Sequence, residues 1–130
     1  MSDNANNCGD PPIPEGCTDP LPTLFSLTFD EHQCGYMGGK EMLVVWDGSA
    51  YRGRKTFVKP SGTGAGPYFY DIVLRYRDGA WEMENFGCFH HLEPGGVDCD
   101  PLGMIFDMSG HLECGCSSQG GFEVTVNPAP

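Results

Sequence analysis

The chain has 130 residues, 18 Asp and Glu against seven Lys and Arg for a net charge of −11, and it holds 19 Gly and 11 Pro. That length suits one domain with a single modest core, and the charge argues against a basic grip on nucleic acid or anionic lipid. The Gly, Pro and aromatic content favours turns and short strands over helix.

Residues 1–23 carry five prolines (Pro11, Pro12, Pro14, Pro20, Pro22) and only Ile13 and Leu21 as large aliphatics, so they read as an extended, partly polyproline-II arm that does not join a core. The start, Met1-Ser2-Asp3-Asn4, lacks the basic and apolar regions of a secretory signal, and no stretch approaches the roughly 18 apolar residues of a membrane span. The expectation is a soluble chain with no membrane partner. From Leu24 the pattern has period two: Phe25, Leu27 and Phe29 alternate with Ser26 and Thr28 as a half-buried strand. Met42–Trp46 is a second strand, closed by the turn pair Asp47-Gly48, and Tyr51–Val58 is a third. Residues 59–67 are a loop. Tyr68, Tyr70, Ile72, Leu74 and Tyr76 share one face of a fourth strand, Asp78-Gly79 turns it, and Trp81 and Met83 alternate with Glu82 and Glu84 on a fifth. Gly87–Pro101 reads as a Cys/His/Gly loop, Leu102–Met108 as a strand turning at Ser109-Gly110, and Phe122, Val124 and Val126 pattern the last strand. Seven or eight short strands with frequent turns, and no connection long enough for a helical crossover, predict an all-β antiparallel sandwich or small barrel over residues 24–130.

Charge is segregated along the chain. All seven cations (Lys40, Arg52, Arg54, Lys55, Lys59, Arg75, Arg77) lie between residues 40 and 77, where only three acids accompany them. Two readings follow: a solvated patch on one hairpin, or a basic surface around Arg52, Arg54, Lys55 and Lys59 that docks on the acidic surface of a copy or partner.

Seven cysteines (8, 17, 34, 88, 99, 114, 116) exceed ordinary usage and leave at least one unpaired within the chain. Disulfides would staple a small Gly-rich body, though they require an oxidising setting such as release by cell lysis. Zinc is the rival: Cys88-x-His90-His91 and His111-x-x-Cys114-x-Cys116 offer enough ligands, without paired Cys-x-x-Cys knuckles. Buried free thiols are the third reading. Cys8 and Cys17 are expected to act locally in the arm or to bond a neighbouring chain. His32, His90, His91 and His111 read as loop and turn residues, and Asp98 and Asp100 around Cys99 make a weak calcium signal.

The signatures of enzymes are missing from the sequence. Gly-x-Ser-x-Gly, the phosphate-binding Gly-x-x-x-x-Gly-Lys-Ser/Thr and a Rossmann turn do not occur. Neither a Cys88 nucleophile with His90 or His91 nor any pair of carboxylates has a specific spacing, so a non-enzymatic role with no cofactor is expected.

Asp19-Pro20-Leu21-Pro22-Thr23 leading into Leu24–Phe29, Trp46-Asp47-Gly48, Asp78-Gly79-Ala80-Trp81, Cys99-Asp100-Pro101-Leu102 and Cys114-Gly115-Cys116 before Phe122–Val126 together resemble the small Cys/Gly-rich β domains of phage virion genes and of bacterial proteins. The likeness covers about residues 17–127 and carries no functional residue across. An arm ahead of a compact β body also resembles the cement, or decoration, proteins that clamp phage capsids. What the resemblance implies is a virion structural protein, assembled in the host cytoplasm, that contacts a major capsid protein or another virion protein and associates with itself. Its arm would dock through Pro11, Pro12, Ile13, Pro14 and Leu21, and its hairpin through Arg52, Arg54, Lys55 and Lys59. The alternatives are a glycan-binding module at a tail or cell surface, using Trp46, Tyr51, Tyr68 or Trp81, and a zinc-stabilised intracellular interaction protein.

Overall fold

In the computed structural model, the described residues are 9–31, 41–57, 68–87, 90–108 and 122–130. They form eight strands: β1 (Leu24–Glu31), β2 (Glu41–Trp46), β3 (Tyr51–Phe57), β4 (Tyr68–Arg77), β5 (Ala80–Asn85), β6 (His91–Pro94), β7 (Ile105–Asp107) and β8 (Phe122–Pro128). All belong to one antiparallel sheet in the order β6-β5-β4-β3-β2-β1-β8-β7. The first six strands form a meander, and β8 returns to pair with β1 along its whole length while β7 pairs with the other edge of β8. The sheet curls until β6 and β7 come together, so the fold is a small, nearly closed barrel.

Alternation sets the interior. Phe25, Leu27 and Phe29 of β1, Met42 and Val44 of β2, Tyr70, Ile72 and Leu74 of β4, Trp81 and Met83 of β5, and Phe106, Val124 and Val126 near the closing seam are all buried together. Fully burying a side chain of this size contributes roughly 1.5–3 kcal/mol each, so the period-two pattern is the main source of stability.

Two turns show how local chemistry fixes register. Asp78 and Gly79 both have positive φ (56° and 85°), the type I′ geometry that suits the twist of flanking strands, and β4 and β5 pair immediately beyond them through Arg77↔Ala80. Asp47-Gly48 does not make a two-residue turn. The connection runs over residues 47–50, and the Asp47 carboxylate closes it by accepting hydrogen bonds from the Ser49 N–H (2.9 Å), the Ala50 N–H (3.0 Å) and the Ser49 hydroxyl (2.9 Å).

Three expectations are corrected. β6 lies inside the stretch expected to be a loop; its four residues, His-Leu-Glu-Pro, put Leu92 outward, so no inward apolar alternation marks it. The strand expected over Leu102–Met108 is confined to Ile105–Asp107, because Pro101 to Met104 make a turn closed by the Met104 N–H on the Pro101 carbonyl (3.0 Å). The described part of the arm, residues 9–23, joins the body: Pro11 and Pro14 are buried, and Leu21 packs against the core.

Candidate functional site

Residues 9–23 of the arm close one end of the barrel, and the closure begins with aromatic packing. Tyr51 sits at the centre, with ring centroids of Phe25 at 4.8 Å, Trp46 at 5.3 Å and Trp81 at 6.4 Å, and Tyr76 lies 5.5 Å from Trp81. The edge-to-face pairs among these, Tyr51 with Phe25 and with Trp46 and Tyr76 with Trp81, add roughly 0.5–1.5 kcal/mol each beyond area burial. Pro11, Pro12 and Leu21 lie over Trp46, Tyr51, Tyr76 and Trp81, with a residual cavity of about 50 Å³ between them. Proline rings on a floor of tryptophan and tyrosine reproduce the contact by which aromatic-lined grooves recognise polyproline-II segments.

Three further ties hold the segment. The Tyr51 hydroxyl donates to the Pro22 carbonyl (2.7 Å), the Trp46 N–H donates to the Thr23 carbonyl (2.8 Å), and Cys17 forms a disulfide with Cys99, 82 residues away, at a Cα separation of 5.7 Å. Cys17 therefore staples the arm to the body of its own chain, in place of the local or intermolecular role expected of it. Burial pushes the Tyr51 phenol well above its ordinary value. Next to the disulfide an open groove of about 310 Å³ separates residues 16–22 from Cys99, Asp100 and Leu102.

The aromatics proposed for glycan contact are spent in this closure. Tyr51 and Trp81 are buried and Trp46 is half-buried, while the side chain of Tyr68 lies outside the described residues.

The cationic segment is divided by alternation. Arg52 and Arg54 project from the outer face of β3, where Asp71 lies 3.7 Å from Arg52 and 3.2 Å from Arg54, and Asp47 lies 3.5 Å from Arg52. Arg54 also covers the Phe69 ring at 4.3 Å. Lys55 falls on the opposite parity, half-buried and in register with the buried Tyr70, and Lys59 lies outside the described residues. The surface around Arg52 and Arg54 is thus a paired, mixed-charge one, flanked by two apolar residues of β2, Leu43 and Val45, which are 45% and 48% exposed.

A second polar cluster covers the outer face of β4 and β5. Arg75 bridges Glu82 and Glu84 at 2.6 Å each, Arg77 reaches Glu82 at 2.8 Å, and His90 Nε2 lies 2.6 Å from Glu84 Oε2. Burial opposes ionisation of Glu84, but the bonds from His90 and Arg75 outweigh it and hold the carboxyl below its ordinary value. His91 pairs with Glu93 at 2.9 Å. Of the zinc candidates, His90 is engaged in this way, and Cys88, His111, Cys114 and Cys116 lie outside the described residues. Among the described residues no three His, Cys, Asp or Glu side chains converge as a ligand set. Asp98 and Asp100 serve the backbone near the disulfide: the Asp98 carbonyl accepts from Trp81 Nε1 (3.0 Å), and the Asp100 carboxylate from the Leu102 N–H (2.9 Å).

Asn85 carries no motif in the sequence. Its Oδ1 accepts from the Asp71 and Gly87 N–H groups (3.1 Å each) and its Nδ2 donates to the Gly87 carbonyl (2.8 Å), which fastens the exit of β5 to β4. A polar residue at an inward-parity position of a strand was the one sign of it.

No family model, curated protein or solved structure matches the chain.

Proposed function

We propose that this chain is a non-enzymatic structural protein of a phage virion, of the capsid cement type, which docks through the outer face of β2 and β3 while its capped barrel acts as a rigid body. The observation that carries the reading is Leu43 and Val45: on a strand whose Met42 and Val44 are buried inward, two large apolar side chains stand half-exposed beside Arg52 and Arg54. An apolar centre with an arginine-bearing rim is the composition of a protein-docking patch. The Arg52 and Arg54 pairs with Asp47 and Asp71 hold those side chains in place before docking, which lowers the ordering cost of association.

On this reading the arm contributes rigidity, and the docking contacts come from the barrel wall. The partner is the major capsid protein or another virion protein.

The test is occupancy in purified particles. The wild-type chain is expected in particles in fixed ratio to the major capsid protein, and Leu43→Glu with Val45→Glu is expected to lower that ratio at least tenfold while leaving the thermal midpoint within a few degrees. A chain absent from particles, or a folded double variant with full occupancy, contradicts the reading.

A further inference from the structure

The aromatic end of the barrel is a built polyproline site whose occupant belongs to the same chain. Pro11 is buried there, Pro12 lies on the same aromatic floor, Pro14 is also buried, and the floor is shared among β2, β3, β4 and β5 through Trp46, Tyr51, Tyr76 and Trp81. None of those contacts depends on connectivity. The arm reaches β1 through residues 15–23, a stretch with Gly16 at φ 86°, two further prolines and the open groove beneath it. Leu21, Pro22 and Thr23 stay tied to the core, Tyr51 and Trp46 of their own chain, whereas the Cys17–Cys99 bond, on the arm's side of the exposed residues 18–20, joins positions 82 apart and can also be formed between chains.

From these observations we infer that the arm is exchangeable: the groove of one copy takes the proline segment, residues 9–14, of a second copy, and the Cys17–Cys99 bond fixes whichever arrangement is present when it forms. A docked element joined to the body through a short exposed connection, Thr18-Asp19-Pro20, is the geometry of domain swapping, in which the swapped contacts repeat those made within one chain. The closed monomer is favoured in dilute solution because a tethered arm has an effective concentration on the order of mM. Exchange therefore belongs to conditions where copies are held at comparable density, such as a crowded or ordered array. The inference concerns self-association and does not rest on the capsid reading.

Two full-length variants test it. A Cys99→Ser copy retains Cys17, and a Cys17→Ser copy retains Cys99, so a 17–99 bond between them can form only in trans. They are mixed near 1 mM in a glutathione redox buffer; the two thiols join, and their two electrons and two protons pass to oxidised glutathione to give two reduced glutathiones. A covalent heterodimer with a Cys17–Cys99 peptide in its digest is expected. Its yield is expected to fall at least fivefold when the Cys17-bearing copy also carries Pro11→Gly, Pro12→Gly and Pro14→Gly. The absence of that peptide, or a yield indifferent to the prolines, overturns the inference. A second measurement needs no substitution: ¹⁵N-labelled and unlabelled wild-type chains are mixed at the same density, reduced and reoxidised. At a density matching the arm's effective concentration about half of the bonds form in trans, so isotopically mixed 17–99 peptides approaching roughly a quarter of the total are expected, and only unmixed ones would refute exchange.

Discussion

Glu84 shows how one carboxylate on a strand's outer face binds pH to stability. Its folded value is held below the ordinary 4.5, so the stabilisation it gives is complete above that pH and is lost as pH falls through the lowered folded value. Wild-type thermal midpoints are expected to drop across that acidic window, and Glu84→Gln to flatten the drop while lowering the midpoint at neutral pH. An unchanged acid limb in the variant would remove Glu84 from the account. Tyr51 acts at the other extreme, because its phenol is pushed up by burial and the unfolded chain ionises first as pH rises past about 10. Tyr51→Phe keeps the aromatic packing and removes the bond to the Pro22 carbonyl, at a cost of about 1 kcal/mol. Asn85→Ala is expected to cost more, about 2–4 kcal/mol by chemical denaturation, since it strands buried donors and acceptors on three backbone groups. A loss under 0.5 kcal/mol would show that this network is not what fixes the exit of β5.

At the scale of elements, the strands that alternate cleanly were legible in the sequence. Phe25/Leu27/Phe29 and Tyr70/Ile72/Leu74 place their apolar residues inward as the period-two pattern requires, and the Asp78-Gly79 turn follows from residues that accept positive φ. β6 was not legible, because it is stabilised by pairing with β5 from Glu82↔Pro94 to Asn85↔His91 and has no buried face of its own. Nor could the pattern reveal that β8 slots between β1 and β7, a consequence of closing the barrel. Gly95 marks the seam. A Cβ there would come within 2.5 Å of the Phe106 ring, and the Gly95 N–H donates to the Trp81 carbonyl (2.7 Å). Gly95→Ala is therefore expected to destabilise by roughly 1–3 kcal/mol through overpacking, with amide exchange rising in β6 and β7 ahead of β1 and β2. Uniform exchange across the barrel would contradict a seam at this glycine.

For the whole molecule, the decisive feature is that an apparent free arm is a structural part of the barrel. Composition concealed this, since five prolines in a stretch poor in aliphatics look unable to bury anything. Their partners are aromatics scattered from Trp46 to Trp81, and only the fold gathers them. The charge pattern hid a pairing for a related reason: Arg52 and Arg54 are close in sequence to few acids, yet Asp71 reaches both from β4. Cys17 could not be assigned from spacing either, because its partner lies 82 residues away on the turn before β7. A cross-link closing so long a loop lowers the entropy of the unfolded chain by an amount worth about 4.5 kcal/mol, a large share of the stability of a small domain. The most direct test is peptide mapping of the purified wild-type chain, digested without reductant and read by mass spectrometry. A peptide pair joined through Cys17 and Cys99 from a monomeric chain is expected; Cys17 recovered as a free thiol, or bonded to any other cysteine, would contradict an arm stapled to its own barrel.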